Sequence, residues 1–427
     1  MVIPSTAERP WRVLLDEDHR EVARASIEAI EGALVSHLKC CEATGNFYLS
    51  EGSAGISLFF AYLHAAALVQ ARDLALDCLA PSVDALAARS MTASFAAGLT
   101  GITWTVEHLN RLLGDSTNDL GSEIDLALEA YLKHSPWNHH FDLMHGLVGI
   151  GVYCLERAEV PTARRCLELI VARLSELVES SSDGLCWHTH THLLSPQRRQ
   201  AYPQGYYNLG PAHGVPGVIA LLGKIYASGI SQKETRWLLE GAVRWLLRQR
   251  LPATAPSSFA ALNVPGRSPE SCRLAWCYGD AGVAATLLLA ARCVGEPSWE
   301  REALAIGRRA ASRNQETCGV VDACFCHGSS GLAHIFNRLF QATHDEVFAL
   351  ASRHWTERTL QFSSPGNGPA GYRIITPNHA GGRELQEKYG VLMGIAGIGL
   401  SLIAATSAVE PNWDRIFLLD IPPLPAS

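Results

Sequence analysis

Trp276-Cys277-Tyr278-Gly279-Asp280-Ala281-Gly282-Val283-Ala284-Ala285-Thr286-Leu287-Leu288-Leu289-Ala290 is a Gly-x-x-Gly that opens an apolar run of helical composition. The arrangement occurs seven times, at Gly52/Gly55, Gly98/Gly101, Gly146/Gly149, Gly214/Gly217, Gly279/Gly282, Gly328/Gly331 and Gly394/Gly397. Self-similarity of this kind marks a repeat architecture, in which neighbouring units share one core.

Successive first glycines lie 46, 48, 68, 65, 49 and 66 residues apart, room for two helices per interval. One set of helices is expected to start at the glycines, over 56–68, 102–113, 150–158, 218–228, 283–294, 332–343 and 398–408. These runs are apolar nearly all round, so they should be buried. The other set precedes each pair, over 19–38, 74–89, 123–134, 162–179, 232–251, 299–313 and 345–362. There charges such as Arg164, Arg165, Glu168, Arg173 and Glu176 interleave with Leu and Val at helical spacing, which predicts half-exposed helices.

Seven buried and seven half-exposed helices predict an all-α fold: an α/α toroid, a double ring of seven inner and seven outer helices in one domain over residues 1–427. A linear solenoid would leave one face of every apolar helix exposed on its concave side. Three intervals are longer than the rest, and the excess falls in 181–209, 252–276 and 363–390. Gly, Pro, Ser and Asn or short alternation there predict loops or small hairpins, walling the rim from which the inner helices start. In the first, second and seventh repeats the residues before the glycines are Ser50-Glu51, Ala96-Ala97 and Leu392-Met393, with no coherent chemistry.

The 427 residues are 48% hydrophobic and 18% charged, as in a globular protein with a large core. A net charge of -7 lacks the basic footprint of a nucleic-acid binder. Residues 1–13 lack the apolar stretch of a signal peptide, and no uncharged run approaches the ~20 residues needed to span a bilayer. The expectation is a cytoplasmic protein that is not transmembrane, most of whose 12 cysteines are free and buried.

The residues just before the other glycines carry the chemistry. If the repeats superpose, Asp142, His213, Arg273, Cys277, Tyr278, Cys326 and His327 gather at one rim. Cys277, Cys326 and His327 make a Cys2His set, and three protein ligands leave a tetrahedral zinc one open position, as in catalytic sites. A structural zinc would draw a fourth ligand from Cys324 or Cys272. A rival set, His188, His190 and His192, alternates at strand spacing, so all three share a face; an exposed polar face on a hairpin is the simpler reading.

Asp142-Leu143-Met144-His145-Gly146, Ala212-His213-Gly214-Val215-Pro216-Gly217, Trp276-Cys277-Tyr278-Gly279, Cys326-His327-Gly328 and the stretch from Leu392 to Gly399 together resemble the lanthionine synthetase C family, the lanthipeptide cyclases. The resemblance runs from about residue 20 to 410 and rests most on the Trp-Cys-Tyr-Gly and Cys-His-Gly segments. It implies a toroid with one zinc ion (Zn2+) per chain on Cys277, Cys326 and His327, and acid–base work at His213 and Asp142. It also implies roles for Arg273 and Tyr278. The implied reaction is Michael-type addition of a peptide Cys thiol to dehydroalanine or dehydrobutyrine, making a (methyl)lanthionine thioether ring. The implied partners are a dehydrated precursor peptide, a lanthipeptide dehydratase and a transporter, with peripheral association to a membrane-bound biosynthetic complex. A free thiol has a pKa of about 8.5, and coordination to zinc deprotonates it. His213 is the natural carrier of the proton for the α-carbon. Asp142 is expected to orient it, and Arg273 either to hold Asp142 or, like Tyr278, to stabilise the enolate oxygen.

Other readings share parts of this pattern. Cyclase-like proteins that bind glutathione, or enzymes that transfer it to dehydrated residues, have the same ligands. A protein prenyltransferase subunit would need a carboxylate ligand, against the adjacent Cys326-His327. A glycosidase toroid would need paired carboxylates, for which Asp142 and Asp280 are the candidates.

Overall fold

The computed structural model describes residues 11–40, 45–114, 119–377 and 382–423. Fourteen long helices dominate it. The first seven are α1 (Glu17–Cys40), α2 (Ser53–Ala65), α3 (Arg72–Ala88), α4 (Leu99–Leu113), α5 (Gly121–Leu132), α6 (Leu147–Glu156) and α7 (Pro161–Leu177). The second seven are α8 (Val215–Ala227), α9 (Gln232–Arg248), α10 (Asp280–Val294), α11 (Pro297–Ala311), α12 (Ser329–Thr343), α13 (Glu346–Gln361) and α14 (Ile395–Thr406). Each even-numbered helix packs on the next, and α14 returns to α2, so the inner ring closes. Each odd-numbered helix backs an inner one, with α1 covering α14. The expected toroid is the fold. Burial follows composition: every residue of α14 is buried, whereas α9 buries Leu238, Leu239, Ala242 and Leu246 and leaves Trp237 50% exposed.

The inner helices begin earlier than their composition predicts. Each starts at the residue after the first glycine, which is the N-cap, and the second glycine lies in the first turn. The reason is a loop that folds back on the helix end. The first helical amide donates to a carbonyl seven residues behind: Ser53 to Asn46 at 3.1 Å, Leu99 to Thr92 at 3.0 Å, Ser329 to Asp322 at 3.0 Å and Ile395 to Lys388 at 3.1 Å. That satisfies an otherwise orphaned helix N–H. It also presses the carbonyl three residues further on against the second glycine. A Cβ on Gly101 would lie 1.9 Å from the Phe95 oxygen, and one on Gly331 would lie 1.9 Å from the Phe325 oxygen. The second glycine is therefore required by close approach. Gly279 has a further constraint, a φ of +103° that side chains disfavour.

The residues two places before the first glycines are joined by main-chain hydrogen bonds around the rim. Ser50 donates to Ala96 (3.0 Å), Ala96 to Met144 (2.9 Å), Cys277 to Cys326 (3.2 Å), Cys326 to Leu392 (3.0 Å) and Leu392 to Ser50 (3.0 Å). Among the described residues the circle is broken only on either side of Ala212. There Gly210 lies against the Cys277 carbonyl, so closely that a Cβ would sit 2.0 Å from its oxygen.

The 3-10 turn Asn412–Phe417 packs into the ring centre. Its Trp413 is fully buried, Trp276 Nε1 donates to the Phe417 carbonyl at 3.0 Å, and Asp414 is bonded by both His334 and Arg338. The insertions form the expected small hairpins. Strands β1 (Glu179–Ser181) and β2 (Gly184–Cys186) pair with each other. β3 (His188–Thr189), β4 (Tyr206–Asn208) and β5 (Leu262–Asn263) form a sheet shared by the first two insertions. β6 (Ile374–Pro377) and β7 (Arg383–Gln386) make the third hairpin.

Candidate metal centre and acid–base pair

The circle of main-chain bonds brings the three candidate metal donors together. Cys277 and Cys326 occupy the same position in adjacent repeats and are bonded to each other through their backbones. His327 follows Cys326, and the donor atoms of all three lie within 4.8 Å of one another. Two thiols and an imidazole at that spacing suit a tetrahedral zinc. Cys277 is held well below the usual thiol range: the Cys326 S–H donates to it, and His327 and the Arg273 charge add to the effect against its burial. Sharing that proton pushes Cys326 up.

The proposed fourth ligands do not join this group. Cys272 donates its S–H to the Phe259 carbonyl at 3.2 Å. Cys324 clusters instead with Asp322 and His327. Burial holds its thiol protonated, and the Asp322 carboxylate already accepts from the amides of Cys324 (3.1 Å) and Ile375 (3.0 Å).

His213 sits one residue before its glycine, and its Nδ1 lies 2.6 Å from Asp142 Oδ2. The Asp142 side chain is 7% exposed and that of His213 is 35% exposed. Burial alone would raise the Asp142 pKa. The His213 hydrogen bond, the nearby His213 and His145 rings and the His145 amide, 2.7 Å from Oδ1, together hold it below the usual carboxylate value. An ionised carboxylate can only accept, so His213 presents Nδ1–H to Asp142 and keeps Nε2 for other work.

Arg273 is not on Asp142, whose oxygens are taken by His213 and His145. Its guanidinium has no hydrogen-bond partner among the described residues, and its charge acts on Cys277 and Cys326. The Tyr278 hydroxyl accepts from Asn208 Nδ2 at 3.4 Å. Burial pushes its phenol up to about 12, partly offset by Asn208, so it stays protonated. Asn208 is fully buried and also holds the Gly210 amide through Oδ1 at 2.9 Å. Sequence reasoning missed both Asn208 and His145. Their signal lay in repeat position, six residues before Gly214 for Asn208, as for Arg273 before Gly279, and one before Gly146 for His145, as for His213 before Gly214. Asp280, the other glycosidase candidate, is buried and accepts from the amides of Ser258 and Phe259, which makes it a loop anchor.

The first repeat is not chemically blank. Glu51 occupies the position equivalent to His213 and accepts from the Met393 amide at 3.1 Å. Burial raises its pKa from 4.5 to about 7, against the pull of Lys388 and that amide. A carboxyl raised in the folded state contributes stability below its ordinary value, and that contribution is lost as pH rises through about 7. Glu51→Gln keeps the acceptor and removes the ionisation. Urea unfolding midpoints at pH 5 and pH 8 should show the variant gaining on the wild type at pH 8. An equal difference at both pH values would show that Glu51 is already ionised at pH 5.

Fold and rim together define an α/α toroid that carries a Cys2His donor set and an Asp–His pair just ahead of its inner helices. The chain belongs to the lanthionine synthetase C-like family, whose family model matches residues 44–418. It is 24% identical over 272 residues to nisin biosynthesis protein NisC of Lactococcus lactis subsp. lactis, a match covering 58% of this chain and 63% of that protein, less than two thirds of the relative's length. The fold matches the solved structure of nisin cyclase with a TM-score of 0.70 and 20% identity, covering 92% of this chain and 96% of that one. Among the described residues no helix is long and apolar enough to cross a membrane.

Proposed function

We propose that this protein is a zinc-dependent lanthipeptide cyclase, closing thioether rings in a peptide that a separate dehydratase has already dehydrated, in the cytoplasm. The observation that carries this reading is the direct backbone link between Cys277 and Cys326, which sets two thiols and His327 within 4.8 Å of each other. Cys277, Cys326 and His327 would hold the zinc. Bound there, zinc would lower the pKa of a substrate thiol, its fourth ligand, so that it is nucleophilic at neutral pH.

The thiolate sulfur bonds to the β-carbon of the dehydrated residue, and the C=C electrons move into an enolate. His213, fixed by Asp142 at Nδ1, delivers a proton from Nε2 to the α-carbon. The thiol proton lost and the α-proton gained balance, so peptide mass is unchanged. The Arg273 guanidinium, without a hydrogen-bond partner among the described residues, and the protonated Tyr278 hydroxyl are donors for the developing enolate oxygen, Tyr278 held in place by Asn208. The test is incubation with a dehydrated, Cys-containing peptide, followed by thiol alkylation. Alkylatable thiol should disappear at constant mass. Thiols that remain fully alkylatable would refute the reading, and a mass gain from added glutathione would point to glutathione transfer.

A further inference from the structure

The first insertion carries the run Trp187-His188-Thr189-His190-Thr191-His192, which the cyclase chemistry does not use. Its strand β3 ends at Thr189 and a 3-10 turn begins at Thr191, so the three rings do not form the single strand face that their spacing predicts. His188 and His190 instead turn toward each other, with their Nδ1 atoms 3.1 Å apart. Glu179, at the start of β1, completes a group whose donor atoms lie within 4.8 Å. His192 stacks on His190 outside that group.

We propose that His188, His190 and Glu179 form a second metal site, for a divalent transition-metal ion of the zinc type. Two nitrogens bound at ~2.0–2.1 Å in tetrahedral geometry lie about 3.3–3.4 Å apart, close to the observed separation. Imidazole and carboxylate are the donors that zinc and its neighbours accept. The supports behind these donors are in place. The Gln204 main chain hydrogen-bonds the His188 ring. The Nε2 edge of that ring lies against Gly205, where a Cβ would sit 2.9 Å from Nε2. With Nδ1 facing His190, Nε2 is the nitrogen left for Gln204. A backbone bond of this kind is how metal-ligating histidines are oriented. Tyr207 donates to Glu179 Oε2 at 2.7 Å, supporting the carboxylate in the same way. His190 is exposed, which gives an ion its way in.

An ion here ties β1 to β3, and β3 is paired with β4 through His188 and Tyr207. β4 ends in Asn208, the support of Tyr278. The site shares no residue with Cys277, Cys326 and His327, so the two can be separated by substitution. Tag-free protein is stripped with a chelator, titrated with zinc, and its bound zinc counted after gel filtration. Wild type should hold two per chain, His188→Ala/His190→Ala one, and Cys277→Ala/Cys326→Ala one. Cobalt titration of the cysteine variant should give a spectrum without thiolate charge-transfer bands. A wild type that saturates at one zinc, unaffected by the histidine substitutions, would reduce the pair to a histidine–histidine hydrogen bond. Should the histidine variant fail to fold, Glu179→Gln keeps the Tyr207 contact and should weaken the second equivalent at least about tenfold. An unchanged affinity would overturn the proposal.

Discussion

Cys326→Ala should lose one equivalent of bound zinc per chain and slow ring formation by about 10³-fold or more. At pH 7 only about 3% of a free thiol with a pKa near 8.5 is thiolate, so loss of activation alone costs about 30-fold. Loss of the anchor that holds the sulfur against its acceptor adds a positioning cost, and positioning effects commonly exceed that size. The fold should survive, because the rim contacts of residue 326 are made by its backbone, to Cys277 and Leu392. Alanine keeps both. The His213–Asp142 pair belongs to other repeats and is not attached to Cys326. Metal content, circular dichroism and the alkylation assay on one preparation decide the matter. Full ring formation by a folded, zinc-depleted variant would remove the metal from the mechanism.

His213→Ala should show the opposite pairing of effects. Zinc stays bound, since His213 is not in the donor group. Turnover falls about 10²- to 10⁴-fold, the usual contribution of one general acid or base. A rate unchanged by the substitution would take the proton transfer away from His213. Asp142→Asn tests the orienting partner separately: it preserves an acceptor for the His145 amide but no longer forces Nδ1 of His213 to be the protonated nitrogen. Its pH profile has a definite sign. The Asp142 pKa is depressed in the folded chain, so its carboxylate stays ionised above the ordinary value and is lost only as pH falls through the lowered one. In the wild type, the limb due to Asp142 should therefore lie below the ordinary carboxylate range.

The spacing of the glycine pairs, the apolar runs after them and the Cys and His before them were legible because they are local. A helix face and a fold-back loop are written in stretches of a few residues, and seven copies of one stretch identify the ring. The same locality explains the misplaced helix starts. Apolar composition rises after the second glycine, while the hydrogen bond from Ser53 to Asn46 and its equivalents begin the helix after the first. Glu51 read as blank because its pKa is raised by burial in the folded ring, and the groups that oppose that shift, Lys388 and the Met393 amide, lie at the far end of the chain.

By itself, then, the sequence determined the seven-repeat toroid and singled out the three candidate metal donors and the residues of the Asp–His pair, since each stands just before a repeat glycine. Ring closure decided the rest. It joined Leu392 to Ser50, and the packing of repeat on repeat joined Cys277 to Cys326, gave Asp142 to His213 rather than to Arg273 and set Asn208 behind Tyr278. Those contacts link residues that no local pattern relates, and only the packing of one repeat or strand on another determines which donor meets which acceptor.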